Sequence, residues 1–323
     1  MNESLKQPII FTLQSFVVSK EATYPLFVLS LLVYIVMLVG NGALFMVIAC
    51  EKKLHKPMYI MVCNLVACDL MGGTAVMTRL MHDFLLETRT ISYEAAISQA
   101  FCVHTYGSAA QTLLSAMAYD RYVAICEPLR YHTIMTPGKL AALLFLAWGI
   151  AIGLVVVLFS LQAGIPLCGT LIMHIYCSNR TILSLACVPT PINNIYGLCM
   201  AWFLSTGSFL VIAFTYIRIL ITCLVRRENK SNAKAIQTCA THLTIYVLFE
   251  LASVIIIVTQ RFDEVSPNTK KFCAILFIVV PPTINPIIYG IVMKDIRSVV
   301  KDIHSGILKL VKSHVSVEKI DSL

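Results

Sequence analysis

Long apolar runs alternate with short polar patches along the 323 residues. Seven runs, near 25–50, 58–84, 98–125, 140–161, 194–225, 235–259 and 272–293, are each long enough to span a membrane, which takes roughly 20 helical residues. Some carry polar interruptions. In lipid every backbone donor and acceptor must be satisfied within the segment, so each run is predicted to be a helix. The expected fold is an all-α membrane protein, a seven-transmembrane helix bundle over 25–293, preceded by an extracellular amino terminus (1–24). In 294–311, Lys294, Arg297, Lys301 and Lys309 alternate with Ile296, Val299, Val300, Ile303 and Leu308. That pattern suits a short amphipathic helix on the inner leaflet, and with the cytoplasmic tail it makes up 294–323. Loops are short except at about 162–193, and no repeat, low-complexity stretch or soluble domain interrupts the chain. Residues 1–24 lack the basic start, short apolar core and small-residue cleavage site of a removable signal peptide, so the first helix is expected to act as its own insertion signal.

Composition strengthens this picture. Hydrophobic residues make up 58% of the chain, charged residues 13%, and the mean hydropathy is +0.80; a soluble domain carries about 25% charged residues. Charge distribution gives the orientation. With the amino terminus outside, eight of the 25 Lys and Arg fall on the outer side (Lys6, Lys20, Arg79, Arg89, Arg180, Arg261, Lys270 and Lys271) and the remaining 17 inside. The net charge of +8 therefore reflects membrane topology, with anionic lipid as its partner, and not a nucleic acid, since the basic residues are split among loops. The sequons at Asn2 and Asn179 fall outside as glycosylation candidates, whereas Asn229 falls inside.

The third run ends in Met117-Ala-Tyr-Asp120-Arg121-Tyr122-Val-Ala-Ile-Cys126. An ion pair is costly within lipid, so Asp120 and Arg121 belong at a membrane face or in a protein interior. Other motifs follow in order: Gly40-Asn41; Leu54-His-Lys-Pro-Met-Tyr59; Asn64-Leu-Val-Ala-Cys-Asp69-Leu; Tyr216-Ile-Arg218; Lys234-Ala-Ile-Gln-Thr-Cys-Ala-Thr-His242-Leu; and Pro282-Thr-Ile-Asn285-Pro286-Ile-Ile-Tyr289. Together they closely resemble the vertebrate olfactory receptors, a branch of the rhodopsin-like G-protein-coupled receptors. The wording of the first and sixth helices is closer to the fish type. The resemblance spans essentially the whole chain and implies a plasma-membrane receptor of olfactory neuron cilia. Such a receptor binds a small odorant between its helices and activates a stimulatory G protein through cyclic AMP. It also implies that Asp120, Arg121, Tyr122, Tyr216, Lys234, His242, Asn285, Pro286 and Tyr289 form the switch that couples to the G protein. Arg121 is always charged and presents a rigid fork of donors, and Pro286 interrupts its helix's hydrogen-bond ladder to supply a hinge. The implied ligand pocket draws on Arg79, Val103, His104, Gly107, Ser108, Met200, Glu250, Ile275 and Ile278.

Two acids lie within the spans, where ionisable residues are functional by default. In the family the acid matching Asp69, with Asn285 nearby, binds sodium. Here Ala110 stands where a Glu is usual and Pro281 and Pro282 remove further ligands, so the alternatives are sodium or a protonated, water-linked Asp69. Sodium is the sole cofactor expected. Glu250 replaces the family's usual Tyr at the expected pocket floor, either as a ligand contact or switch, or as a neutral acid bonded to a neighbouring helix. His104 faces Glu250 or the ligand, or bonds another helix. Arg79, His82 and Asp83, with Arg261, Lys270 and Lys271, either select an anionic or zwitterionic ligand or snorkel to headgroups.

Of 12 Cys, Cys168, Cys177 and Cys187 crowd the long outer loop, in an oxidising compartment. The resemblance implies a Cys168–Cys187 bond. It also pairs the middle cysteine with one atop the third helix, but this chain has Ala96 there, and Cys102 is about 9 Å deeper on another face. His174-Ile-Tyr-Cys177 has metal-like spacing, yet two ligands are too few. A rhodopsin-like receptor for an internal ligand is the nearest rival reading. A transporter would show repeats and broken helices meeting mid-membrane, and an enzyme a nucleophile–base pair; neither is present in the sequence.

Overall fold

A computed structural model describes residues 10–14, 16, 19–86, 89–225, 229–262, 264–293 and 295–301; the side chains of 229–236 and 238 lie outside that description. Seven long helices dominate the described residues: α1 (Lys20–Cys50), α2 (Pro57–Leu85), α3 (Tyr93–Cys126), α5 (Pro137–Gln162), α7 (Pro191–Val225), α8 (Asn229–Thr259) and α9 (Pro267–Val292). Two short helices, α4 (Tyr131–Ile134) and α6 (Asn179–Leu183), sit in the loops after α3 and α5. The helix starts follow local chemistry. Pro57, Pro137 and Pro267 occupy first-turn positions where their missing N–H costs nothing. The side chains of Ser92, Thr136 and Ser266 accept the orphan backbone N–H of Ala95, Lys139 and Thr269.

Six of these helices are long and apolar enough to cross a membrane; α3 is not, on composition. Its polar residues explain this. Gln99, Thr105, Ser108, Gln111 and Asp120 are all buried, because α3 packs against α2, α5, α7 and α8 and meets protein where the others meet lipid. By contrast Phe145, Phe203 and Leu210 point outward on α5 and α7, 82%, 66% and 60% exposed, as a lipid-facing surface requires.

Proline placement in α9 is matched by polar groups from other helices. Pro286 has no N–H to offer the carbonyl of Pro282, four residues back. Asn41 of α1 donates its Nδ2 to that carbonyl at 2.8 Å and to the Met37 carbonyl at 2.9 Å. Pro281 likewise leaves the Phe277 carbonyl without its partner, and the Tyr106 hydroxyl of α3 reaches it at 3.5 Å.

The outer side differs from the all-helical expectation. Ile10–Leu13 forms β1, antiparallel to β2 (Thr90–Ser92) and parallel to β3 (Leu171–Ile172), in the order β2-β1-β3. Phe11 and Leu13 bury one face of β1 in a cluster with Ile91, Ala96, Ile172, Cys177 and Ile182. The segment outside the membrane is thus part of a packed cap. After α9, residues 295–301 are helical, with Ile296 buried against the bundle and Lys56 Nζ paired to Asp295 at 2.9 Å; residues 302–323, with Ile303, Leu308 and Lys309, lie outside the described residues.

Candidate functional site: two cavities joined by one helix

An outer cavity of about 590 Å³ opens among α3, α5, α7, α8 and the long loop. Val103, His104, Gly107, Ser108 and Gln111 supply one wall, and Met200, Leu204 and Ser205 of α7 the wall opposite. Ser253 and Ile256 of α8, Gln260 just past its end and Phe277 of α9 close the side. The roof is loop: His174, Tyr176, Ser178 and Asn179. Asn179 donates its backbone N–H to His104 Nε2 at 3.2 Å, so His104 is neutral and carries its proton on Nδ1. Gln260 Nε2 donates to His174 Nε2 at 3.0 Å. Burial, then the Lys271 charge, lowers His174 from 6.5 to about 4.

Of the expected pocket residues, Val103, His104, Gly107, Ser108 and Met200 line this cavity. Four do not. Arg79 turns into the protein and pairs with Asp83 at 2.9 Å, one helical turn on, with a side chain only 13% exposed. Ile278 is fully buried in the bundle core, and Ile275 packs against that core; Phe277 from the same helix takes the lining position. Glu250 stands behind the floor, where Gln111 Nε2 donates to Glu250 Oε2 at 2.9 Å and to Ser205 Oγ at 3.0 Å. It is thereby a partner of a neighbouring helix and not a lining group. Arg261 does reach the cavity, as expected of a charge flanking the third outer loop, while Lys271 is buried. The sequence reading missed Gln111, Asn194 and the pocket role of Arg180.

Asn179 requires a correction as a glycosylation candidate. It is buried, and its Nδ2 donates to Gln162 Oε1 at 2.7 Å, so a glycan has no room there in the folded chain. Asn2 lies outside the described residues. Cys168 and Cys187 form the expected disulfide. Cys177 forms none: it is buried, with its thiol pushed up to about 12 by burial.

At the other end of α3 lies an inner cavity of about 710 Å³, lined by Tyr59, Arg121, Tyr131, His242, Tyr289 and Met293 among others. Asp120 is fully buried and accepts from Arg121 at 2.5 Å (Nη2) and 3.1 Å (Nε) through Oδ2. Its Oδ1 accepts from the Tyr131 hydroxyl at 2.8 Å; burial and the Asp120 charge raise that phenol above its ordinary range. The Tyr216 hydroxyl meets His242 Nδ1 at 2.7 Å, with the rings stacked 6.1 Å apart. Tyr289 is buried and its hydroxyl has no hydrogen-bond partner among the described residues. Tyr122 packs its ring on Phe214. The side chain of Lys234 lies outside the described residues. Arg121, His242 and Tyr289 line this cavity; Asp120 and Tyr216 bond to residues that line it, whereas Tyr122, Asn285 and Pro286 do not line it.

Between the two cavities, Asn285 Nδ2 donates to Asp69 Oδ2 at 2.8 Å. A hard cation needs several oxygens. Asn285 presents its amide nitrogen, Ala110 is buried and apolar, and prolines fill the facing turn. The residues around Asp69 therefore do not fit sodium, and the Asn285 bond alone satisfies one carboxylate oxygen.

Residues 30–306 match the family model described as "Olfactory receptor". Human olfactory receptor 52D1 is 36% identical over 277 residues, covering 84% of this chain and 87% of the relative. Mouse olfactory receptor 5AR1 is 32% identical over 276 residues, covering 85% and 89%. In the fold alone the chain is similar to squid rhodopsin, with a TM-score of 0.72 at 17% identity over 92% of this chain and 91% of that one. With an outer cavity sized for a small molecule, an inner one built on Asp120 and Arg121, and these relatives, the chain belongs to the olfactory receptor family: it is an odorant-sensing G-protein-coupled receptor of the plasma membrane, a signalling protein and not an enzyme.

Proposed function

We propose that an odorant binds in the outer cavity and that the inner cavity then opens to a stimulatory G protein, raising cyclic AMP. The observation carrying this reading is that α3 and α8 line both cavities, so a shift of α8 against α3 changes the two together. Asp120, held by Arg121 and Tyr131, keeps the inner end closed. Release of Arg121 frees a charged fork for the partner protein.

The lining favours one ligand chemistry. Among the described residues no Asp or Glu lines the outer cavity, while Arg180 and Arg261 both donate to Asn194 Oδ1, at 3.4 and 2.7 Å. Two cations on one neutral acceptor leave unused donors at the mouth. An odorant with a carboxylate or another strong acceptor complements them, and the mouth arginines take the part expected of Arg79. Cyclic-AMP dose–response curves with matched acids, amines and alcohols test this. Arg261→Gln is expected to weaken acids by roughly tenfold or more, a loss of about 1.4 kcal/mol, and to leave alcohols within about threefold. Equal shifts across the three classes would sink the assignment.

A further inference from the structure

The roof of the outer cavity is tied to the bundle without a covalent link, by side chains of α3 and α5. Gln99 is buried, 7% exposed. Its Oε1 accepts the backbone N–H of Cys177 at 2.8 Å, and its Nε2 donates to the Ala75 carbonyl of α2, also at 2.8 Å. One end faces a donor and the other an acceptor, so only one orientation of the amide satisfies both. His104 and Gln162 hold Asn179 two residues further along, through its backbone N–H and its side chain. Between these grips run Cys177, Ser178 and Asn179, of which the last two line the cavity. Ala96 lies one turn above Gln99 on the same face of α3 and is fully buried in the apolar cluster that holds Cys177.

We infer that Gln99 is a positioning residue for ligand binding: it bridges α2, α3 and the loop, and so sets the height of the cavity roof in place of a covalent tether. A buried backbone N–H that loses its acceptor exposes itself to water where it can. Loss of Gln99 therefore lifts the roof segment, and with it Ser178 and Asn179. The inference rests on the outer cavity being the ligand site, but its test reads loop position and needs no ligand.

The test uses the full-length receptor on intact cells, treated with a membrane-impermeant maleimide. Peptide mass spectrometry then reads the fraction of Cys177 modified. In the wild type, Cys177 is expected to stay protected, being buried and protonated. In Gln99→Leu, which keeps the volume and removes both hydrogen bonds, modification is expected to rise roughly tenfold or more, the change due when one buried hydrogen bond is removed from the opening equilibrium. Gln99→Glu keeps an acceptor for the Cys177 N–H in either protonation state, and is expected to stay protected. A surface-expressed Gln99→Leu receptor as protected as the wild type overturns the inference, as does a Gln99→Glu receptor labelled as heavily as Gln99→Leu. Where Gln99→Leu does not reach the surface, the double variant Gln99→Leu with Ala96→Cys decides. It is expected to reach the surface with a disulfide, formed in the oxidising secretory lumen, between Cys177 and the introduced sulfur. Absence of that linkage, or of recovery, overturns the placement of Gln99 as the roof's anchor.

Discussion

Arg121 is held by its own neighbour in sequence, and that economy makes it readable. Asp120 and Arg121 lie within one motif, and the costs of burying a charge force them together. Arg121→Ala is expected to reach the cell surface and to lose agonist-stimulated nucleotide exchange; normal exchange by a well-expressed variant contradicts the switch assignment. Tyr131 was not readable, because it lies 11 residues on, past a turn, and only the folded loop brings its hydroxyl to Asp120. Tyr131→Phe removes a hydrogen bond to a charged group, worth about 1.5–3 kcal/mol. It should raise agonist-independent cyclic AMP, and unchanged basal signal at equal surface density would exclude Tyr131 from the lock. Arg79 shows the opposite failure. Its partner Asp83 sits four residues on, in plain view, yet the expectation of ligand selection or snorkelling overlooks that the two form one ion pair turned inward. Glu250 was legible as an intramembrane acid in need of a partner, but sequence alone could not name Gln111 on a different helix.

At the scale of elements, the helices were legible because length and hydrophobicity in lipid leave few alternatives. The strand Ile10–Leu13 was not: four residues of alternating burial carry little signal, and their pairing partners lie some 80 and 160 residues away. Pro286 is legible as a hinge, and the structure adds how that hinge is kept together. Asn41 supplies the donor that Pro286 lacks. Asn41→Leu leaves a buried carbonyl unsatisfied and should cost about 1–3 kcal/mol, visible as a lower Tm of the purified receptor; an unchanged Tm would mean another donor fills the gap. The loop carries a pH dependence of defined sign. His174 is lowered from 6.5 in the unfolded chain to about 4 when folded, so the unfolded state takes up the proton first. Stability is full above pH 6.5 and falls as pH drops towards 4, by up to about 3 kcal/mol. Protonation would also set two donors, His174 Nε2 and Gln260 Nε2, against each other, with Lys271 adding repulsion. Melting curves from pH 7.5 to 5 should show a decline in the wild type that is reduced in His174→Gln; identical declines would exclude His174 as the titrating group.

For the whole molecule, α3 is the element on which both cavities depend. It is too polar to qualify as a membrane span on composition, and the bundle accepts it because four helices surround it. Its outer half lines the outer cavity and its inner end carries the Asp120–Arg121 pair, so in the proposed function α3 and α8 together link occupancy above to access below. The general position of both sites could be read from motif order. The lining could not, since it depends on helix rotation: Ile275, Ile278 and Phe277 differ by a few residues and face different surroundings. The most direct measurement fills the outer cavity without disturbing its walls. A Cβ placed at Gly107 would meet only Phe277 within 4 Å, at an ordinary 3.4 Å from its Cζ, and Gly107 lines the cavity. Odorant-stimulated nucleotide exchange on a stimulatory G protein should therefore be abolished in Gly107→Leu at undiminished surface expression, with agonist-independent exchange retained; an odorant response of wild-type potency in that variant would contradict the account.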